Sequence, residues 1–498
     1  MTGYSTLAAV DLGSNSFRLQ VARVVEDQLY PLDSLRDSVR LAAGLTADKY
    51  LELPTQQRAL DCLRRFGERL RGFPPQAVRA VGTNTLRVAK NAAEFLKYAE
   101  AALGFPIEII AGREEARLIY LGVAHGLPAS RDKRLVMDIG GGSTEFIIGS
   151  GLKPSKLESL YMGCVSYSLR YFPGGKISKG NMKQAELAAR TELQTIASEF
   201  CIGNWAQAYA SSGTARAVAD IIELNGMGSG GITPSGMARL RERLIKIGDT
   251  SRLALEGLSA ERAPVFPGGF AILAAAFDEL KLKQMTPASG ALRQGVLYDM
   301  LGRFHQRDMR ETTVAEFMRR YHVDAAQAKR VETLSLKLLG QLPEHTDGKD
   351  FKQLMSWAAR LHEIGISVAH TSYHKHSAYI IKNADMPGFS RMEQARLSLL
   401  VLAHRGNLQK MREQPVARSD WGLVMPLRLA VLFCRSRNDV RLPALRLEAS
   451  RASFRLTLSA QWLAQNPLTA AALHEESREW KSLGMELHVA TPRATPRS

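Results

Sequence analysis

Two short turns of similar composition constrain the fold most. Asp11-Leu12-Gly13-Ser14-Asn15-Ser16 follows an apolar run, and Asp138-Ile139-Gly140-Gly141-Gly142-Ser143 follows another. A second apolar run comes after each turn, so each stretch predicts a strand, a tight turn and a strand. The two aspartates are 127 positions apart, which is too far for a small repeat and typical of two similar domains. We therefore expect two lobes whose turns face each other across a cleft.

The composition of these turns is typical of anion binding. Glycines let the backbone N–H groups converge on one space, and the serine and asparagine side chains add donors. The second turn is bracketed by Asp138 and Glu145, carboxylates that would repel phosphate unless a divalent cation lay between them. Either turn alone fits an ordinary hairpin, and aspartates often bond nearby backbone N–H groups. The matching pair favours a site for phosphate and metal. The predicted phosphate-binding residues of these two turns are Asp11, Gly13, Ser14, Asn15, Ser16, Gly140, Gly141, Gly142 and Ser143.

The rest of the N-terminal part alternates strand and helix patterns, which predicts an α/β fold. Short apolar runs at 77–81, 107–110 and 206–210 each lead into a turn and then a helix. The last of these turns contains Gly213 and Thr214, which we add to the predicted phosphate-binding residues. From about residue 303 the pattern becomes almost wholly helical, and it changes again near 441. We predict lobes over 1–125 and 126–302, an α-helical domain over 303–440 and a small α+β region over 441–498.

The bulk composition excludes several classes of protein. A chain of 498 residues is too long for one core, and it contains no apolar run long enough to cross a membrane. Its N-terminus does not resemble a signal peptide, so we expect a cytoplasmic protein. The four cysteines form no CxxC pair, which argues against a zinc ribbon or a disulfide framework.

The chain carries a net charge of +17, and this charge is uneven. Residues 1–302 have 36 basic and 30 acidic side chains, whereas residues 303–498 have 30 and 19. A basic surface favours polyanions such as polyphosphate, nucleic acid or an acidic membrane surface. It is equally consistent with a merely solvated surface, so charge alone does not identify a partner.

The motifs together resemble the exopolyphosphatase and guanosine pentaphosphate phosphohydrolase (Ppx/GppA) family. The resemblance lies in the order and spacing of Asp11–Ser16, Gly82–Arg87, Gly112–Ile119, Asp138–Glu145 and Ser212–Thr214, and it continues through 377–380 and 385–389. It implies two actin-like lobes of the ASKHA, ribonuclease H-like type, followed by a degenerate HD-like helical domain. It also implies a dimer and a magnesium requirement, with a monovalent cation as a further candidate.

The resemblance assigns a catalytic base and an arginine. Glu114 and Glu115 both open a predicted helix, where either could activate water or merely complement the helix dipole. The family position of the base matches Glu115. Arg87 matches an active-site arginine that could bind phosphoryl oxygens, although by sequence alone it fits a surface residue. Arg18 is a weaker candidate of this kind, and Asp138 and Glu145 match the residues implicated in magnesium binding.

The helical domain contains a group of histidines whose role the sequence leaves open. His362-Glu363 stands where metal-dependent HD phosphohydrolases carry His-Asp, so we expect no catalysis there and leave metal binding undecided. His370, His374 and His376 are expected to offer positive charge or hydrogen bonds to a polyanion. His404 lies further along the same domain.

The sequence therefore favours an exopolyphosphatase that releases orthophosphate from the end of inorganic polyphosphate. The alternatives are hydrolysis of guanosine pentaphosphate (pppGpp), an ATP-dependent kinase of the same fold, and a non-catalytic regulator that binds polyanions. We expect no specific nucleic-acid partner, and we leave open peripheral contact with the inner membrane. No dimer surface can be identified from the sequence.

Overall fold

A computed structural model describes residues 4–25, 28–128, 130–304, 308–342, 349–412, 414, 420–450 and 453–491. The chain divides into two compact units. Unit 1 comprises Met1–Met309 and Pro387–Arg391, and unit 2 comprises Arg310–Met386 and Met392–Ser498. The four domain boundaries drawn from the sequence stay predictions.

The first sheet of unit 1 has the strand order β3-β2-β1-β4-β5. Strand β1 is central because its run from Leu7 to Val10 is apolar and almost completely buried. It pairs antiparallel with β2 through the first glycine turn and parallel with β4, which pairs parallel with β5. The strands are β1 (Thr6–Leu12), β2 (Phe17–Val25), β3 (Gln28–Asp37), β4 (Val78–Gly82) and β5 (Ile107–Ile109). The helices are α1 (Leu53–Arg69), α2 (Asn84–Val88), α3 (Ala92–Leu103) and α4 (Gly112–His125).

The second sheet repeats this plan, with the strand order β8-β7-β6-β9-β10. Strand β6 takes the place of β1, and its antiparallel hairpin with β7 contains the second glycine turn. The strands are β6 (Arg134–Ile139), β7 (Thr144–Ser150), β8 (Lys153–Leu160), β9 (Gln207–Ala210) and β10 (Thr286–Pro287). The helices are α5 (Cys164–Tyr171), α6 (Lys179–Leu193), α7 (Ala197–Phe200), α8 (Gly213–Leu224), α9 (Pro234–Ile247), α10 (Phe266–Glu279) and α11 (Leu292–Phe304). The prediction of two similar α/β lobes is confirmed.

Helices α4 and α11 pack unusually closely between the two sheets. A Cβ atom on Gly122 would lie 2.2 Å from the carbonyl oxygen of Ala291, and one on Gly295 would lie 1.7 Å from that of Leu118. Only glycine permits this approach of the two backbones. The same region holds an apolar core to which both sheets contribute, for example Val81 and Val136. Helix α4, which carries Glu114 and Glu115, is therefore fixed between the lobes.

Unit 2 is largely helical and ends in a small mixed sheet. Helix α17 is buried along most of its length, and Trp480 is fully buried against Trp421 and Phe454. The helices are α12 (Met309–Arg320), α13 (Ala325–Leu339), α14 (Lys349–Leu361), α15 (Tyr373–Asn383), α16 (Arg391–Ala403), α17 (Trp421–Phe433), α18 (Ala460–Gln465) and α19 (Pro467–Ser482). The strands, in the order β11-β12-β13, are β11 (Arg446–Ala449), β12 (Ser453–Thr457) and β13 (Glu486–Ala490). A helical region followed by a small α+β region is as predicted.

In the part of the chain that the structure describes, no helix is both long enough and apolar enough to cross a membrane.

The contact between α4 and α11 can be tested by adding a single methyl group. Gly295→Ala should destabilise the protein by about 1–3 kcal/mol, because the new Cβ atom would overlap the backbone of Leu118. Gly180→Ala in α6 is the matched control, since the nearest atom to its Cβ would be Ser178 Oγ at 3.7 Å. The control should be neutral or slightly stabilising. Equal melting temperatures for Gly295→Ala and the parent protein would contradict this packing.

Candidate active site

The first glycine turn is anchored to the helix that carries Arg87. A Cβ atom on Gly13 would lie 2.9 Å from the carbonyl oxygen of Ser16, so the turn requires glycine there. The hydroxyl of Ser14 accepts hydrogen bonds from the Thr85 hydroxyl at 2.8 Å and from the Thr85 N–H at 3.3 Å. These bonds connect the turn to α2. The position of Arg87 thus depends on the first turn.

The tips of the two glycine turns are in contact. A Cβ atom on Gly141 would lie 2.9 Å from both the Asn15 nitrogen and Ser14 Cβ, and one on Gly142 would lie 2.4 Å from Asn84 Oδ1. We expected the turns to face each other across an open cleft, and the structure corrects this. Because the tips leave no room between them, a phosphoryl group would have to lie beside the turns.

Two residues predicted to contact phosphate face the protein interior instead. Thr214 is 1% exposed and its hydroxyl bonds the thiol of Cys164. Ser143 is 2% exposed and its hydroxyl bonds the carboxylate of Glu145. The neighbouring Gly213 lies under the guanidinium of Arg262, whose Nη2 atom would be 2.0 Å from a Cβ atom at that position. The sequence showed which turns are present but not which way their hydroxyls point.

Arg87 and Glu115 form a buried ion pair. Arg87 Nη1 donates to Glu115 Oε2 at 2.6 Å and to the carbonyl oxygen of Ile110 at 3.0 Å. Although burial lowers the pKa of Arg87, the carboxylate of Glu115 outweighs this and the pKa is raised. Among the described residues, Glu115 Oε1 has no hydrogen-bond partner. This oxygen is therefore available to a water molecule.

The neighbouring Glu114 is fully engaged in a separate network. Arg117 donates to both of its carboxylate oxygens at 2.7 Å, and the N–H of Gly388 donates to Oε2 at 2.8 Å. Arg117 also donates to Asp299, which in turn accepts from Arg79. A carboxylate bound in this way has no free oxygen for a proton. The geometry favours Glu115 as the base and gives Glu114 a structural role.

Four carboxylates gather beside the turns. Asp138 and Glu145 face each other across the β6–β7 hairpin, and Asp11 and Glu115 are close enough to influence their charges. Burial raises the pKa of Asp11 to about 6. The carboxylate of Glu115 also raises this pKa, whereas the guanidinium of Arg293 lowers it. Burial likewise raises the pKa of Asp138 to about 7, although a hydrogen bond from Ser211 lowers it in part.

The buried carboxylate of Glu145 is stabilised by hydroxyl groups. Burial, Glu115 and Asp138 raise its pKa well above the usual range. The hydroxyl of Ser159 donates to Glu145 Oε1 at 2.9 Å, and Ser143 and Arg87 also favour the ionised form. Several acids forced together in this way are stabilised by a bound cation.

This donor set fits a magnesium ion, although no preformed cage is present. Among the described residues, no cluster of three or more histidine, cysteine, aspartate or glutamate side chains is arranged as a metal site. Magnesium commonly keeps several waters and takes only one or two carboxylates. Asp138 and Glu145 could supply these, with Asp11 nearby.

A cluster of arginines borders the same site, and sequence reasoning missed most of it. Burial lowers the pKa values of Arg18, Arg262 and Arg293, the last to about 10, and neighbouring arginines add to the effect. We name this the arginine cluster; its members are Arg18, Arg36, Arg216, Arg262 and Arg293. Only Arg18 lies in a motif. The others come together only through folding, so no local pattern in the sequence indicates them.

Of the three histidines expected to offer positive charge or hydrogen bonds to a polyanion, His374 does not carry the charge. Burial lowers the pKa of His362 and of His374 to about 4 and that of His404 well below its usual range. These three rings are therefore neutral near pH 7. Both carboxylate oxygens of Glu363 accept hydrogen bonds from Arg437, at 2.8 and 2.7 Å. Arg437 therefore occupies the carboxylate oxygens to which a metal ion would need to bind.

Comparisons with known proteins agree with this architecture. A model of the Ppx/GppA phosphatase family matches residues 20–304, and a model of Ppx/GppA phosphatase domain III matches residues 309–477. An exopolyphosphatase from Cytophaga hutchinsonii is 24% identical, covering 59% of this chain and 97% of its own, with a TM-score of 0.54. The family member from Aquifex aeolicus is 24% identical, covering 60% of this chain and 98% of its own, with a TM-score of 0.51. The structural likenesses show a shared actin-like fold.

The two-lobed fold with its glycine turns is that of an actin-like protein, and the match to a phosphatase family indicates the phosphohydrolase class. Because the first family model spans more than half of the chain, this protein belongs to the Ppx/GppA phosphatase family.

The repulsion among the carboxylates can be tested through stability. Asp138 ionises near pH 7 in the folded protein and near pH 4 when unfolded, so its contribution to stability falls as the pH rises between these values. Without divalent cations, Asp138→Asn should raise the melting temperature at pH 8, and the gain should shrink toward pH 5. Exposed Asp132→Asn is the control and should change little. A variant no more stable than the parent at pH 8 would contradict the argument.

Proposed function

We propose that this protein is an exopolyphosphatase, which hydrolyses the terminal phosphoanhydride bond of inorganic polyphosphate and releases orthophosphate. The observation that carries the proposal is the Arg87–Glu115 pair, held beside two glycine turns and a group of carboxylates. One oxygen of Glu115 is available to a water molecule, and Arg87 can bind a phosphoryl oxygen. This arrangement supports transfer of a phosphoryl group to water.

In the proposed reaction, Glu115 Oε1 accepts a proton from a water molecule as the water oxygen bonds to the terminal phosphorus. The bridging P–O bond breaks, and the electron pair leaves with the shortened chain. Backbone N–H groups beside the two turns and the guanidinium of Arg87 would stabilise the charge that develops on the phosphoryl oxygens. A magnesium ion on Asp138 and Glu145 would neutralise phosphate charge.

The arginine cluster supports a substrate with several phosphates. Five guanidinium groups exceed what one terminal phosphoryl group can engage. Arg18 and Arg293 act directly on Asp11, and the other three interact with members of the cluster. Guanidinium groups bind phosphate oxygens bidentately. The excess basic charge of residues 303–498 favours a long polyanion in the same way.

Hydrolysis of guanosine pentaphosphate is the alternative, because its triphosphate would also engage several arginines. A direct comparison of turnover on long-chain polyphosphate and on pppGpp, with and without magnesium, distinguishes the two. Formation of ADP from ATP would instead indicate a kinase. If no substrate released phosphate, the remaining alternative would be a non-catalytic regulator that binds polyanions.

The assignment of the base leads to a specific kinetic expectation. Glu115→Gln should lower the rate of phosphate release from polyphosphate by about 10²–10⁴-fold, since an amide cannot accept the proton of water. Binding of polyphosphate should remain close to that of the parent, because the amide still fits beside Arg87. A colorimetric phosphate assay and a filter-binding assay measure the two properties.

Glu158→Gln is the control for this experiment. Glu158 lies on β8, where its partly exposed carboxylate pairs with Arg113, so this variant should keep the parental rate. Full activity of Glu115→Gln would refute the assignment of Glu115. It would also make Glu114 a candidate for the catalytic base again.

The role of the arginine cluster can be tested by the salt dependence of binding. The affinity for long-chain polyphosphate should fall steeply as salt rises, because bound counterions are released. Exposed Arg216→Ala should weaken binding and reduce the slope of log affinity against log salt by about one. Arg243→Ala, an exposed arginine of α9, should leave the slope unchanged. Identical slopes for both variants would exclude Arg216 from the binding surface.

A further inference from the structure

A short segment of the first lobe, Ser38–Gly44, lies against both the first glycine turn and the second lobe; we name it the strap. The N–H of Arg40 donates to the carbonyl oxygen of Asn15 at 2.8 Å. The N–H of Ala42 donates to the carbonyl oxygen of Ser14 at 2.9 Å, and Ala42 also packs against the hydrophobic core of the second lobe. The 3₁₀ turn at the end of the strap contacts α5. The strap therefore joins the two lobes directly beside the candidate active site.

One residue of the second lobe, Glu261, holds this side of the first lobe. It lies in the loop before α10, and its Oε2 atom is 3.4 Å from Arg36 Nη2 and accepts from the Ser38 hydroxyl at 3.1 Å. Arg40 Nη2 donates to the carbonyl oxygen of Glu261 at 3.3 Å. The three donors are alternate residues at the end of β3 and just beyond it, so they share one face of the chain. Glu261 is thus bound by the strap and by the strand that leads into it.

Glu261 also supplies the arginine cluster with its one ion pair. Among the residues that the structure describes, no other carboxylate lies within ion-pair distance of a guanidinium group of the cluster. The side chains of Arg36 and Glu261 are 38% and 62% exposed, and an exposed ion pair is weak and exchanges partners readily. The carboxylate therefore holds a position at Arg36 that a phosphate oxygen could also take.

The closed arrangement of the lobes has two unfavourable features. Arg40 has a φ of 52° and a ψ of 49°, in the left-handed region that residues with a Cβ atom rarely adopt. Asn84 lies at the contact with Gly142 and is 7% exposed, and its Nδ2 atom has no hydrogen-bond partner among the described residues. A buried donor without a partner is unfavourable, and opening would give it water. Contacts such as those of Glu261 are needed to keep the lobes closed.

We propose that Glu261 is a latch that a polyanionic substrate displaces: its carboxylate keeps the strap closed, and a phosphate oxygen replaces it at Arg36 when the substrate enters. The inference rests on the proposed function, because it requires a polyanion at the arginine cluster. A phosphate chain would neutralise the cluster and repel the carboxylate of Glu261, so the two compete. A ligand shifts a conformational equilibrium only by its difference in affinity for the two states, and this competition provides the difference. The tight backbone contact of α4 and α11 leaves the strap as the place where the lobes open.

Hydrogen exchange of the full chain without added polyphosphate measures whether Glu261 holds the strap. In Glu261→Ala the amides of Arg40 and Ala42 should exchange about two- to fivefold faster than in the parent, because one exposed ion pair no longer favours the closed state. Glu256→Ala is the matched control. It removes the same charge from the same loop, but the exposed Glu256 forms no ion pair among the described residues, so exchange should match the parent.

Binding of tripolyphosphate without divalent cations tests the competition. Glu261→Ala should bind about two- to fivefold more tightly than the parent, since the ligand no longer has to displace a carboxylate. Glu261→Gln should show a similar gain, because its amide oxygen can still accept from Ser38 but carries no charge. Both gains should shrink as salt rises, because salt screens the exposed pair in the parent. Glu256→Ala should bind as the parent does.

Two results would overturn the latch. One is unchanged exchange of the strap in Glu261→Ala, and the other is an affinity of Glu261→Ala and Glu261→Gln for tripolyphosphate no greater than that of Glu256→Ala. Neither measurement involves cleavage of a bond. A protein that shows both effects but never releases phosphate would contradict the proposed function and leave the latch supported.

Discussion

The structure depends most on the burial of several carboxylates next to one another. Asp11, Asp138 and Glu145 meet Glu115 beside the glycine turns, and burial and neighbouring carboxylates raise the pKa values of the first three. Arg87 compensates one of these charges directly. Arg18 and Arg293 offset the charge of Asp11 only in part, and the pKa values of Asp11, Asp138 and Glu145 stay raised. Acids with pKa values perturbed in this way are typical of functional sites. In the function that we propose, a cation together with a polyanion would complete this site.

The repeated topology explains why these residues meet. Each lobe places an aspartate at the end of its central strand, just before a glycine turn, and the two lobes bring these turns into contact. Helix α4 then supplies Glu115 from between the sheets. Its position is set by the glycine contacts with α11 and by the network of Glu114, Arg117 and Asp299. Burial of that network makes the helix position sensitive to loss of any member.

Much of the fold and part of the site could be predicted from the sequence, for physical reasons. Apolar runs interrupted by Asp-Gly turns specify strands and hairpins locally, so both lobes were predicted. The choice between Glu114 and Glu115 depends on which one Arg117 binds, and the sequence spacing does not reveal this. The directions of the Ser143 and Thr214 hydroxyls were likewise set by packing.

The arginine cluster is the part of the site that could least be predicted from the sequence. Arg36, Arg216, Arg262 and Arg293 lie far apart in the chain and in no common motif, yet their charges act on one another in the folded protein. Similarly, His374 was expected to offer charge or hydrogen bonds to a polyanion, and burial makes its ring neutral near pH 7, as it does the rings of His362 and His404. Burial and long-range proximity are properties of the tertiary structure.

The central claim is that water, activated at Glu115, attacks the terminal phosphorus of the substrate. Hydrolysis of polyphosphate in ¹⁸O-labelled water under single-turnover conditions tests it directly, with mass spectrometry of the products. We predict one ¹⁸O atom in each released orthophosphate and none in the shortened chain. Label in the remaining chain, or orthophosphate without label, would contradict the account.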